Sequence, residues 1–182
     1  MMSRSEALEL VQQHVANRNL VKHMIAVEGV MRRLARRFGE AEDIWSLAGL
    51  LHDLDYTETV DAFERHGFRT VDLLAGRDVP AEILHAIQAH PGHVPLESRL
   101  DKALYAVDPL TGLIVAGVLM HPQKRLAALD VNYMMRRFRE KRFAAGANRE
   151  QIQACMNLEL SLEEFMKLGL EGMCEVSDQL GF

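Results

Sequence analysis

The chain has 182 residues, 48% of them hydrophobic, and a formal net charge of −5 from 21 basic and 26 acidic side chains. That length and apolar content allow one domain with a sizeable core and exclude a disordered chain or one that depends on disulfides. The mildly acidic balance argues against a nucleic-acid polymer as partner, and two cysteines, Cys155 and Cys174, make no disulfide framework and fit a reducing cytoplasm.

Arg4, Glu6 and Glu9 interrupt residues 1–20, which do not read as a signal peptide. Ser3 with Glu6 forms a capping box that opens a first helix through about Asn17. Asn19 is read as the cap of a second helix. Its Leu20, Met24, Val27, Met31, Leu34 and Phe38 recur at steps of four and three, and Gly39 ends it. Arg32, Arg33, Arg36 and Arg37 lie off that stripe and read as a solvated basic face, whereas His23 lies at its rim. A third helix, about Glu42 to Asp53, is apolar nearly all round and therefore central, with Ala48-Gly49 admitting a close neighbour. His52 and Asp53 fall in its last turn. Burying an imidazole and a carboxylate side by side is costly unless something cationic compensates them.

Residues 55–62 read as a loop carrying Asp55, Glu58 and Asp61, followed by a helix from about Phe63 to Ala75 with His66, Thr70 and Leu74 on one face. Pro80 starts another helix, in which Ile83, Ile87 and His90 share a stripe until Pro91-Gly92 stops it. Ser98 to Asp101 open the next, where Asp108 shares the face of Leu104. Pro109 disfavours helical backbone at Asp108, so a break or kink is expected there, aiming the carboxylate inward. Thr111 to Met120 should be a separate buried helix. Its apolar run, Leu113 to Met120, is too short to span a bilayer, so no membrane partner is expected.

Farther on, Arg136, Arg137, Arg139, Lys141, Arg142 and Arg149 face Glu140 alone, as a solvated face or an attractor of phosphate-rich partners. Asn148 caps a short helix. Ser161 with Glu164 opens the last one, whose stripe runs from Leu162 to Leu180. Cys155 and Cys174 read as core residues, and His14, His85 and His121 as structural ones. No alternating strand pattern, repeat or flexible linker is present, so the fold class is all-α.

His23, His52, Asp53 and Asp108 thus stand on helix ends or inward faces. Two imidazoles and two carboxylates without a thiolate suit Mn, Fe, Co, Mg or Zn as a divalent ion. His66 and His90 can extend the set to a second ion, and two ions can clamp the attacking and leaving oxygens of a phosphoryl displacement. Arg18 and Lys22, a short reach from His23, are candidate contacts for a substrate phosphate. His93 is another substrate contact or an alternative ligand. Asp55 reads as a general base, as the partner of a ligand, or as an ordinary loop residue.

A His, a His-Asp doublet and a distant Asp, all on helices, resemble the HD-domain superfamily of metal-dependent phosphohydrolases over about residues 18–121. Asp-Pro-Leu-Thr-Gly at 108–112 is similar to a subgroup of small bacterial HD hydrolases. The resemblance implies a compact multi-helix HD-domain bundle over 1–125, with 126–182 as additional C-terminal helices packed on the same domain. It implies that His23, His52, Asp53 and Asp108 bind a first ion. His66 and His90 are placed like the extra histidines of two-metal members, and Asp53 would bridge the two ions. The interval from His52 to His66 is short for those two-metal members, and Tyr56 stands near the place where several one-metal nucleotidases carry a Glu. The reaction implied is hydrolysis of a phosphomonoester, nucleotide or related phosphate ester by a metal-activated water, with Asp53 and Asp55 as catalytic candidates. A di-iron oxygenase on the same fold and a non-catalytic metal-binding sensor module are the alternatives. The partner implied is a small phosphorylated substrate, and homo-oligomerisation stays open.

Overall fold

A computed structural model describes residues 1–182 as eleven α-helices joined by turns and short 3₁₀ segments, without a strand. Helix α1 (Arg4–His14) opens on the expected capping box of Ser3 and Glu6. Helix α2 (Arg18–Phe38) is capped by Asn17 rather than Asn19. The Asn17 side chain accepts from the N–H groups of Asn19 and Leu20, so the helix begins two residues earlier than expected. It ends at Gly39, which adopts a left-handed conformation. Helix α3 (Glu42–Leu51) buries every residue from Trp45 to Leu51 and lies along α2. A β-carbon at Gly49 would come within 2.9 Å of the Glu28 backbone nitrogen, so the two helices pack backbone to backbone there. This close crossing brings the end of α3, with His52 and Asp53, beside His23.

The stretch expected as a loop holds the short α4 (Tyr56–Thr59), and the helix expected from Phe63 divides. Phe63–Arg65 form one 3₁₀ turn, His66 is extended, and α5 spans Phe68–Leu74. The divider is Asp55, whose Oδ2 accepts from the N–H groups of Gly67 and Thr70 and so caps α5 from outside. Helix α6 (Ala81–Ala89) begins after Pro80 and delivers His90 at its end.

Helix α7 (Arg99–Met120) corrects the expectation of a break at Asp108, because it runs through Pro109 and includes the segment from Thr111. Proline lacks the N–H that the Tyr105 carbonyl would accept four residues earlier. The Gln151 side-chain amide donates to that carbonyl instead, at 2.8 Å. A continuous α7 is long and apolar enough to cross a membrane, but it packs against α2, α6, α9 and α10 as a core helix.

Helices α8 (Val131–Arg139), α9 (Arg149–Gln153), α10 (Leu162–Cys174) and α11 (Ser177–Leu180) complete the bundle. One apolar core runs from Met2 to Leu180. The arginines of α2 are not a free basic face: Arg33, Arg36 and Arg37 pair with Glu171, Glu175 and Glu164, which rim the seam with α10. Arg32 pairs with the buried Glu28, as does Arg4. Arg149 likewise leaves the expected solvated cluster, donating to the carbonyls of Phe138, Ala144 and Ala147. Cys155 is buried as expected, but Cys174, at the end of α10, is exposed.

The α2–α10 seam depends on Gly172, where a β-carbon would lie 2.6 Å from Val30 Cα and 2.7 Å from the Gly29 carbonyl oxygen. Backbone cannot yield as a flexible side chain can. Gly172→Ala is therefore expected to destabilise the fold by about 1–3 kcal/mol, read from urea unfolding by circular dichroism. An unchanged midpoint would show that the seam is looser than this crossing requires.

Candidate metal centre

Two helices end in the same device. His52, at the end of α3, turns its Nδ1–H back to the Gly49 carbonyl at 2.8 Å, and His90, at the end of α6, donates to the Ile87 carbonyl at 2.7 Å. In each case a carbonyl left over at the helix end fixes the ring and leaves Nε2 as the lone-pair nitrogen. His66 does the same with Asp55, Nδ1 to Oδ1 at 2.7 Å. His23 uses Thr111, whose hydroxyl donates to the Asp108 carbonyl and so keeps a lone pair for the His23 Nδ1–H at 3.1 Å. Four imidazoles from four parts of the chain thus present Nε2 to one place.

At that place stands Asp53. Its Oδ1 lies 3.3 Å from His66 Nε2, 3.4 Å from His52 Nε2 and 3.6 Å from His90 Nε2. Its Oδ2 lies 3.6 Å from His23 Nε2. Asp108 Oδ1 reaches His23 Nε2 at 3.0 Å and His52 Nε2 at 3.8 Å. Two overlapping sets result, His23–His52–Asp108 and His52–Asp53–His90, each with its ligand atoms within 4.8 Å of one another.

The cluster fits a divalent cation. Buried His52 Nε2 has no hydrogen-bond partner, and the His66 and His90 Nε2 atoms face each other at 3.1 Å. With each Nδ1–H already committed, those lone pairs oppose one another unless a proton or a cation lies between them. Borderline nitrogen and hard carboxylate donors suit the divalent ions named above. Without an ion, protons take the strain. Burial opposes charge on His66, but the hydrogen bonds to Asp53 and Asp55 outweigh it and hold the ring up at about 9. Burial likewise works against the charge of Asp53, yet His52, His66 and His90 keep it well below the usual carboxylate range. Asp108 is lowered by His23 and His52 despite its burial. His90, where burial prevails, shifts down.

A cleft of about 320 Å³ opens over the cluster, lined by Leu20, His23, Asp53, Tyr56, Phe63, His66, His90, Pro91, Asp108 and Gln151. No Lys or Arg is among them. Of the residues expected at the site, His23, His52, Asp53, His66, His90 and Asp108 are brought together. Asp55 is fully buried beneath them, with its oxygens committed to His66, Gly67 and Thr70. His93 stands outside the cluster and donates to the Phe63 carbonyl at 2.8 Å. Lys22 donates to the Leu180 carbonyl at 2.7 Å and faces a different cavity of α2, while Arg18 is exposed and does not line the cleft. Sequence reasoning missed Tyr56 and Phe63 as cleft walls, and also Gln151. The one hint of Gln151 was the carbonyl that Pro109 had to leave free.

The HD domain family pattern matches residues 20–122. Among curated relatives, ribonuclease Y of Oleidesulfovibrio alaskensis is 31% identical over 96 residues, which cover 53% of this chain and 18% of that protein. Ribonuclease Y of Acholeplasma laidlawii is 30% identical over 118 residues, 65% of this chain and 21% of that protein. Ribonuclease Y of Sulfurovum sp. is 27% identical over 168 residues, 90% of this chain and 33% of that protein. The chain therefore spans at most a third of the curated relatives it matches. No solved structure matches it significantly.

The role of Asp55 can be isolated without changing shape. In Asp55→Asn the oxygen is needed where Oδ2 accepts from Gly67 and Thr70, which puts the amide NH₂ against His66 Nδ1. That forces the His66 proton onto Nε2 and removes a ligand. The variant is expected to fold and to lose about 10- to 100-fold in Mn²⁺ affinity by isothermal titration calorimetry. Unaltered affinity would remove His66 from the ligand set.

Proposed function

The chain belongs to the HD-domain family, and from that premise we propose that it is a metal-dependent phosphohydrolase. The observation that carries this reading is the convergence of four outward-turned Nε2 atoms on Asp53 and Asp108, with His52 Nε2 buried and unpartnered. In this reading His23, His52, Asp53 and Asp108 hold one divalent ion, and His66 and His90 with Asp53 hold a second. An ion bound there supplies a water acidified toward neutrality and positive charge for a phosphoryl oxygen.

The chain's own residues set the rest. Asp53 faces three imidazoles with one oxygen and the fourth with the other, which suits a carboxylate shared between two ions. Asp55 serves as a positioning residue, holding His66 in the tautomer that ligates. The helix-end carbonyls of Gly49 and Ile87 do the same for His52 and His90. Because no Lys or Arg lines the cleft, the negative charge of a phosphate ester would be met chiefly by the ions. Arg18, Lys22 and His93 are not among the residues that line the cleft.

The substrate in this reading is a phosphate ester that fits an open cleft, a phosphomonoester or nucleotide. The name of the relatives, ribonuclease, supports a second reading, a phosphodiester within RNA, although the net charge of −5 gives a polymer little general attraction.

Elemental analysis of the purified protein, with a panel of p-nitrophenyl phosphate, 5′-nucleotides and a short single-stranded RNA in Mn²⁺ or Co²⁺, tests both readings. Turnover of at least one is expected. His52→Ala and Asp53→Ala should each lose bound metal and at least about 100-fold in turnover. Undiminished hydrolysis by a metal-free Asp53→Ala protein would overturn the proposal, as would iron-dependent oxygen uptake with no ester cleaved.

A further inference from the structure

Eight large apolar side chains stand exposed, and four of them, Tyr56, Val60, Phe63 and Phe68, fall within residues 56–68, the segment whose Tyr56 and Phe63 line the cleft. Single exposed apolar residues are ordinary on a protein surface, but a cluster at the mouth of a polar site asks for an occupant. Tyr56 and Phe63 are 40% and 52% exposed, and both line the cleft. Their rings lie 5.5 and 5.4 Å from the ring of His66, so they adjoin the cluster directly.

The lip is braced. His93 donates to the Phe63 carbonyl, its ring meets the Phe63 ring nearly edge-on at 5.3 Å, and it stacks on Phe68 at 5.8 Å and 19°. This gives His93 a place in the molecule, as the strut that fixes Phe63. A held, half-exposed aromatic ring offers a flat face. Most of the remaining cleft wall is polar (His23, Asp53, His66, His90, Asp108 and Gln151), which would suit an alkyl chain poorly.

We infer that Tyr56 and Phe63 form a stacking platform for a nucleobase, so that the phosphate ester taken by this site belongs to a nucleotide. The inference rests on the proposed hydrolase site only for where the phosphate goes. With the phosphate on the Asp53 cluster, a base one sugar away meets the lip. Every base has a π-face, so the platform selects for the presence of a base and not for its identity. The same chemistry could come from a free nucleotide or from a single-stranded RNA.

Calorimetry on the Mn²⁺-loaded protein with slowly cleaved phosphorothioates reads binding apart from turnover. The probes are adenosine 5′-phosphorothioate, ribose 5-phosphorothioate, hexyl phosphorothioate and a single-stranded phosphorothioate oligoadenylate. Adenosine is expected to bind roughly 5- to 150-fold more tightly than ribose. Phe63→Ala and Tyr56→Ala should each shrink that ratio, and Phe63→Trp should keep it. If the oligoadenylate exceeds the mononucleotide, the source is RNA; if not, it is the free nucleotide. Equal binding of adenosine and ribose probes overturns the platform, as does a hexyl probe matching adenosine or a ratio unmoved by Phe63→Ala. Discrimination with no turnover of any ester would overturn the hydrolase reading alone, and turnover without discrimination the platform alone.

Discussion

Asp53 is buried with one oxygen 3.3–3.6 Å from three imidazole nitrogens, and this arrangement constrains much of the bundle. A carboxylate in such a place needs compensating charge; a cation held by the imidazoles would provide it, and holding one requires that their rings be fixed and their tautomers chosen. The fold supplies that fixing from its own leftovers. Two rings are tied down by carbonyls that helix ends leave unpaired, one by a hydroxyl and one by a second buried carboxylate. The close crossing at Gly49 matters for the same reason, because it sets the end of α3 against the face of α2 that carries His23.

Much of this was legible from short-range signals. The Ser3–Glu6 capping box, the Ser161 side chain capping α10 without the reciprocal Glu164 bond, Gly39, the amphipathic period of α2 and the apolar character of α3 are each decided within a few residues, and the structure shows them. The six candidate ligands were legible as residue types on inward faces. Pairings across long stretches of chain were not. Asp55 caps α5 from 12 and 15 residues away, which is why the segment from Phe63 does not form one helix. Arg33, Arg36 and Arg37 of α2 looked solvated because partners of theirs lie 127 to 139 residues on, in or just past α10. Reading Pro109 as a break applied the local rule correctly and missed a donor 46 residues from Tyr105.

The roles of polar residues were harder to read than their presence. Asp55, His93 and Lys22 were all sensible choices by proximity in sequence. Asp55 proves to have both oxygens occupied, by His66 and two backbone N–H groups, while His93 is tied through Nε2 to the Phe63 carbonyl and Lys22 through one bond to the Leu180 carbonyl. A titratable side chain already satisfied by the fold has little left to offer a ligand. Of the two buried side-chain polar atoms without a partner, Asp101 Oδ1 and His52 Nε2, the latter points into the cluster.

The amide of Gln151 on the Tyr105 carbonyl bears on where this protein can be divided. The family pattern ends at residue 122, yet the helix that carries Asp108 has its proline-induced defect mended from residue 151. A module border drawn at the end of that pattern would cut the repair from the damage. The C-terminal helices thus act as a splint for the helix that carries Asp108.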